Sequence, residues 1–430
     1  MFSINKKGAA ALAVLTVVLG GVALTPAHAD VKKLTVWADE TRGPHLIELF
    51  GTLDDQDEGD FVAGYVIDVK TQTSFDALKA ALDNATAASG PDVVLGPNDW
   101  VPTGAKNGKL AAFTLPSSIK ADFTANQLGD LSYKGKLYGV PLDVNNVAMV
   151  RNVGVPAQTT FGGMVDYYMA NKATLKGGLC ILGGGTSWGG MSIYSALGLQ
   201  PYRMKSGKVD TTLSKPGKAA TSGDPISPAF VNNLKTYLLT PDGANWKSNG
   251  FYYPWDANGV NCEADFKAGK IPFAILGNWQ KDLVPAVNGT ISPVPGVTAG
   301  TYGNAFGSVS GALLTSFANG KGNLAAAKSL LNYFGSRAGQ RDYQKIENRP
   351  HANAKAAKFG STFQKGMARA AGLASIPQIG SILNGTGGNS WWDLAGNYWY
   401  RVAMNGENLT TTTNNLNTLL KANIVAGANF

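Results

Sequence analysis

Few residues in this chain are equipped for covalent chemistry. Gly185-Thr186-Ser187-Trp188-Gly189 matches the G-x-S-x-G spacing that presents a serine nucleophile between a strand and a helix, and His351 lies downstream as a base. Gly183 and Gly184 lengthen a turn that such an elbow needs tight, however. A chain with 53 glycines also produces matches of this kind by chance, so the segment reads better as a plain loop. It lacks the lysine and the spacing of a phosphate-binding loop. Beyond residue 29 only His45 and His351 remain, and no H-E-x-x-H or paired-cysteine pattern occurs, so neither a metal site nor a cofactor is expected. A glycosidase would need two converging carboxylates, and nothing singles out a pair among 29 acidic residues.

Non-covalent chemistry is better supplied. Trp37 ends an expected strand, Trp100 follows another, Trp188 lies in the Gly-rich loop, Trp279 follows a third strand, and Trp391-Trp392 opens a late helix. In α/β sheets ligands bind outside the carboxyl ends of strands. An indole there offers a flat apolar face, and neighbouring Asp, Asn and Arg offer polar edges. A pyranose has the matching pair of surfaces, an apolar C–H face and a rim of hydroxyls. Any single tryptophan serves equally well as a core residue; recurrence at one topological position favours binding.

The elements that must hold these residues alternate. Strands are expected over 33–37, 64–70 and 92–95, with a helix through Leu46 and Phe50 and another starting at Phe75 behind a Ser74 cap. Segments 136–140 and 147–151 read as strands around an extended Pro141-Leu142-Asp143. Helices follow over 161–173, 191–199 and 230–239, strands over 179–182 and 272–276, and mainly helix from about Leu324. This pattern indicates βαβ units and mostly parallel sheets. No repeat of the solenoid kind is present.

Composition sets the limits. At about 150 residues per domain, 430 residues make two or three domains. Charged residues are 15%, hydrophobic residues 44% and aromatics 10%, which excludes disorder, collagen and coiled coil. The net charge of +8 is unclustered, so a mildly basic solvated surface is expected rather than nucleic-acid binding. Lys6 and Lys7, an apolar stretch from Ala9 to Leu24 and Ala27-His28-Ala29 form an export signal, residues 1–29, with cleavage before Asp30. No cysteine stands at that site and no stretch of 18 apolar residues exists, so a soluble periplasmic or extracellular protein without a lipid anchor is expected. A bridge between Cys180 and Cys262 would close a loop of about 80 residues, worth on the order of 4 kcal/mol. Two separate buried thiols are the alternative, and the readings are nearly balanced because sequence supplies no distance.

Several motifs, in order, carry a resemblance. They are Lys33-Leu34-Thr35-Val36-Trp37 with Arg42-Gly43, Gly90-Pro91-Asp92-Val93-Val94 leading to Asn98-Asp99-Trp100, and Tyr133-Lys134-Gly135-Lys136-Leu137-Tyr138-Gly139-Val140-Pro141. Phe266-Lys267-Ala268-Gly269-Lys270 with Gly277-Asn278-Trp279, and Ile376-Pro377-Gln378 ahead of Trp391-Trp392, complete the set. Together they resemble the maltose/maltodextrin-binding branch of the extracellular solute-binding proteins, receptors that feed sugar ABC importers. The resemblance implies a two-lobe α/β fold of the periplasmic-binding-protein kind, with residues 30–143 and 294–348 in one lobe and 144–293 and 349–430 in the other. About three crossings are implied, near Asp143-Val144, Pro293-Val294 and Arg349-Pro350. It further implies a non-enzymatic monomer that closes on an oligosaccharide, maltose or maltodextrin, and docks on a membrane permease.

By the same resemblance Arg42 and Asp99 meet hydroxyls, Trp279 and Trp391 or Trp392 stack on sugar, and Trp188 lies near a further stacking position. Trp100 and Asn145 belong to the same implied ligand set. Two departures bear on the sugar. Asn145 stands where the maltose branch commonly has Glu, and Gly96 where it often has an aromatic. The alternatives are a receptor for another oligosaccharide and, in a different class, a secreted hydrolase.

Overall fold

The structure, a computed structural model, describes residues 31–183, 188–199, 203–205, 208–210, 228–238, 251–252 and 261–378, with a few positions between 407 and 418. The expected export signal, Ser187 of the G-x-S-x-G segment, and Trp391 and Trp392 lie outside the described residues. Among those described, no helix is long and apolar enough to cross a membrane.

The first half of the alternation is built as β1 (Lys32–Ala38), α1 (Arg42–Phe50), β2 (Tyr65–Thr71), α2 (Phe75–Asn84), β3 (Val93–Pro97), α3 (Trp100–Lys106) and β4 (Gly139–Asn145). Ser74 Oγ accepts from the Ala77 amide at 3.0 Å and starts α2, satisfying one of the orphan donors of its first turn. Segment Pro141-Leu142-Asp143 runs inside β4. The chain continues as β5 (Val147–Arg151), α4 (Phe161–Asn171), β6 (Leu179–Ile181), α5 (Met191–Ala196), α6 (Pro228–Tyr237), β7 (Phe251–Tyr252), α7 (Cys262–Lys267), β8 (Phe273–Gly277) and β9 (Thr290–Ser292). A ten-residue strand follows, β10 (Ala305–Leu314), then α8 (Leu324–Gly335), α9 (Arg337–Glu347), α10 (Thr362–Leu373) and β11 (Ser375–Pro377).

These strands form two main sheets, ordered β11-β10-β3-β1-β2, with β4 also on β10, and β7-β6-β8-β5-β9. Pairs β1–β2, β1–β3, β6–β7, β6–β8 and β10–β11 are parallel. The strands that enter or leave a sheet at its junction with the other, β4, β5, β9 and β10, bring the antiparallel pairs. Both faces of each sheet are covered by helices. Leu46, Leu330 and Phe334 pack on one face of the first sheet, and Leu78, Leu82 and Trp100 on the other. In the second sheet Met149, Phe273 and Ile275 face α4–α6, whereas Val150, Ala274 and Leu276 face α7 and α10. The period-2 alternation of β5 and β8 therefore divides two apolar layers. The fold is a two-lobe α/β architecture.

The lobes meet at a seam crossed by neighbouring strands. The chain leaves the first sheet at Asn145 and enters the second at Val147. In the opposite direction β10 carries Ala305 and Phe306 in the core that holds Phe273, and Val309 in the core that holds Trp100. Cys180 and Cys262 are bridged, their Cα atoms 5.8 Å apart, so the second reading of these residues, separate thiols, does not apply. The bridge ties β6 to the first residue of α7.

Candidate functional site

The turn from β1 into α1 places Arg42 in a buried charge network. Its Nη1 lies 2.8 Å from Asp39 Oδ2, its Nη2 donates to Ser310 Oγ at 2.8 Å, and Asp143 Oδ2 is 3.6 Å away. Arg349 extends the network, donating from Nη2 to Thr41 Oγ1 at 3.0 Å and pairing with Glu347, which also meets His45 Nδ1. Burial would raise the Asp39 carboxyl, but Arg42, the Thr41 hydroxyl, the Arg42 amide and Arg349 outweigh it and hold the group well below the usual carboxylate range. Asp143 goes the other way: burial pushes it up against the pull of Arg42 and Arg349, and Glu347 adds to the rise. The guanidinium expected to meet a sugar hydroxyl is thus engaged by three protein groups, at the end of the first sheet beside the seam.

Asp99 is buried at the N-terminus of α3, and Trp100 follows it with 4% of its surface exposed. The Trp100 ring lies over Gly96 and 5.1 Å from the Phe75 ring, with Lys79 Nζ 5.9 Å from its centroid. A Cβ on Gly96 would come within 2.5 Å of Trp100 Cε3. The departure from an aromatic at 96 and the burial of Trp100 are therefore one arrangement: Trp100 fills the space above the strand that a side chain at 96 would need. Gly96→Ala is expected to cost about 1–3 kcal/mol of stability by overpacking, and Gly96→Ala combined with Trp100→Leu to recover part of it, read from thermal unfolding.

A similar fold-back with a different outcome occurs at the end of β8. The Trp279 ring lies over Gly277, where a Cβ would sit 2.4 Å from the indole, but this ring is half-buried. Trp188 joins it from the helical turn just ahead of α5, with ring centroids 5.4 Å apart and planes tilted by 34°. Trp188 Nε1 donates to Gln378 Oε1 at 3.0 Å, and the Gln378 carbonyl accepts from Asn98 Nδ2 at 2.6 Å. The aromatic pair and the loop after β3 are thereby brought to the same seam.

Asn145 lies there too, paired in register with Ser308. Asn278 is buried and donates from Nδ2 to the Val144 carbonyl at 2.7 Å. Among the described residues Asn98 Oδ1, Asn145 Oδ1, Asn278 Oδ1 and Ser308 Oγ are buried and have no hydrogen-bond partner. Buried acceptors are normally satisfied, and hydroxyl donors of a polyol have the chemistry to satisfy them. Asn98, Asn278 and Gln378 were visible only as flanking amides of the aromatic motifs, and Ser308 belongs to a strand that carries no pattern.

The structure brings Asn145, Trp188 and Trp279 to the seam and sets Arg42 beside it, with Trp100 inside the adjoining core. His351 forms a backbone bridge with Asp143, and burial together with Arg341 pulls its imidazole down to about 4, so it is neutral near pH 7. No group of three or more metal-ligating side chains occurs among the described residues.

A family model described as bacterial extracellular solute-binding protein matches residues 60–371. Over 178 residues the chain is 29% identical to a maltooligosaccharide ABC transporter solute-binding lipoprotein of Streptococcus pneumoniae serotype 4, a stretch covering 40% of each protein. It is 28% identical over 151 residues to the protein of the same description from a second strain of that species, covering 34% of each. The chain thus spans well under half the length of these relatives. The family match runs through both sheets and both sides of the seam, so this chain belongs to the bacterial extracellular solute-binding proteins.

Proposed function

We propose that the protein is the substrate-binding receptor of an ABC sugar importer, taking a maltodextrin-type oligosaccharide at the seam and presenting it to a membrane permease without cleaving it. One observation carries this reading: a half-buried pair of stacked indoles stands beside buried amide and hydroxyl acceptors contributed from both sheets. The aromatic face suits the C–H face of a pyranose and the acceptors suit its hydroxyls. Contacts drawn from both lobes are complete only when the lobes are together, so ligand favours closure. The similarity to two maltooligosaccharide-binding proteins supports the sugar class.

In this reading Trp188, Trp279 and Asn145 contact sugar, with Asp99 and with Trp391 or Trp392. Arg42 and Trp100 hold the site's floor. The lobes divide as 30–143 with 294–348 and 144–293 with 349–430, β10 running through both cores, and the exported protein acts as a monomer. Asn145 and Gly96 favour a second reading within the class, a different oligosaccharide.

Tryptophan fluorescence titrated with maltose, maltotriose and longer maltodextrins, with xylo- and arabino-oligosaccharides as controls, tests the proposal. A saturable change with maltodextrins is expected, and Trp279→Ala is expected to weaken it at least about tenfold, or about 1.4 kcal/mol. Response only to a control sugar would overturn the maltodextrin assignment and keep the receptor. New reducing ends after long incubation would overturn the receptor.

A further inference from the structure

We propose that Gln378 is a positioning residue that sets the orientation of the Trp188 ring and links the aromatic platform to the loop after β3. The inference rests on the receptor reading only for its effect on sugar affinity; the positioning itself stands on the geometry.

Gln378 follows β11 and is 6% exposed. Its main chain is held from two directions: the amide donates to the Gly307 carbonyl in β10 at 3.0 Å, and the carbonyl accepts from Asn98 Nδ2 at 2.6 Å, beyond the end of β3. Two hydrogen bonds therefore determine where the side chain starts. Its Oε1 then accepts from Trp188 Nε1 at 3.0 Å. Trp188 packs with the core of the second sheet and stacks on Trp279, which follows β8 of that sheet. One residue thus joins Asn98, through its carbonyl, to the aromatic pair of the second sheet, through its side chain.

The physical consequence follows from the indole itself. Its N–H is a donor only, and in a partly buried site it needs an acceptor. With Oε1 in place, the ring is constrained at its polar edge by Gln378 and on its face by Trp279. Without it, the N–H must turn toward water, and the ring has to rotate off Trp279 to get there. The platform is therefore complete only while Gln378 is within reach. An amide distant in sequence from both tryptophans of the pair thereby becomes a determinant of affinity.

The test uses the full mature chain and two readouts. The first is the circular-dichroism exciton signal of the stacked Trp188–Trp279 pair in ligand-free protein, identified by its absence in Trp188→Phe. The second is the affinity for maltotriose by calorimetry. Gln378→Leu, similar in size but with no acceptor, is expected to lose the exciton signal and to weaken binding about tenfold. Gln378→Glu, which keeps an acceptor oxygen at the same reach, is expected to retain the signal and to bind within about threefold of wild type. In the Trp188→Phe background, Gln378→Leu is expected to cause no further loss, because the two residues act through one bond. Should Gln378→Leu fail to fold, Gln378→Ala takes its place. An unchanged exciton signal in both acceptor-free variants would overturn the proposal, as would full additivity with Trp188→Phe. Loss of the signal without loss of affinity would overturn the coupling to binding. If wild type binds no sugar in the panel, the receptor reading fails while the exciton comparison still decides whether Gln378 positions the ring.

Discussion

Arg42→Met is expected to lower folding stability by about 3–5 kcal/mol, because it removes the cation from a network whose carboxylates stay buried. Arg42 is 4% exposed, Asp39 2% and Asp143 0%, so neither acid can recover its solvation when the guanidinium is gone. Methionine fills much of the volume, which confines the effect to charge and hydrogen bonding. Urea unfolding at neutral pH measures the loss, and a variant as stable as wild type but unable to bind sugar would mean that Arg42 serves the ligand instead of the fold. The pH dependence gives an independent reading. Asp39 is lowered chiefly by Arg42 against the opposing effect of burial, and Glu347 is lowered by Arg349 and His45 against the same opposition. Groups depressed in the folded state contribute stability that is complete above the ordinary carboxylate pKa, about 4, and is lost as pH falls through their folded values. Wild type should therefore lose stability below about pH 4, and Arg42→Met, with Asp39 no longer depressed, should show a shallower acid limb. Asp143 carries the opposite sign, since burial raises it, and offsets part of the slope.

Breaking the Cys180–Cys262 bridge is expected to cost on the order of 4 kcal/mol through the freedom restored to the unfolded chain. The cysteines are 82 residues apart, and both are nearly inaccessible, at 0% and 2% exposure. Cys180→Ala with Cys262→Ala isolates the linkage better than serine, which would bury an unpaired hydroxyl. The double variant should show a lower urea midpoint, and wild type with reductant should move toward it. Sugar binding at low denaturant should persist, because the Trp279 ring is seated on Gly277 outside the closed loop and Trp188, inside it, is held by Trp279 and Gln378. Equal midpoints with and without the bridge would mean that packing beneath β6 and α7 already restrains the loop ends.

Much of this molecule is written locally. Ser74 ahead of an amphipathic run announces α2, and the apolar stretches at 33–37 and 272–276 announce β1 and β8, because capping and side-chain period are decided within a few residues. The tryptophans at strand ends are legible for the same reason, and so is the family whose motifs they belong to. β10 is not legible. It reads Ala-Phe-Gly-Ser-Val-Ser-Gly-Ala-Leu-Leu, with small residues where close neighbours approach and no alternation, since it is covered on both faces and pairs with three other strands.

Sequence by itself determined that this is an α/β protein of alternating elements with aromatic residues at its strand ends. Tertiary structure alone decided what those residues meet. Trp100 and Trp279 follow strands in the same way, yet one is sealed in a core by Gly96 and Phe75 while the other is left half-open beside Trp188. The bridge from Cys180 to Cys262, the convergence of Arg42, Asp143 and Ser310, and the bond from Trp188 to Gln378 join positions far apart along the chain. Each depends on how distant stretches of chain pack together, a distance that no local pattern encodes.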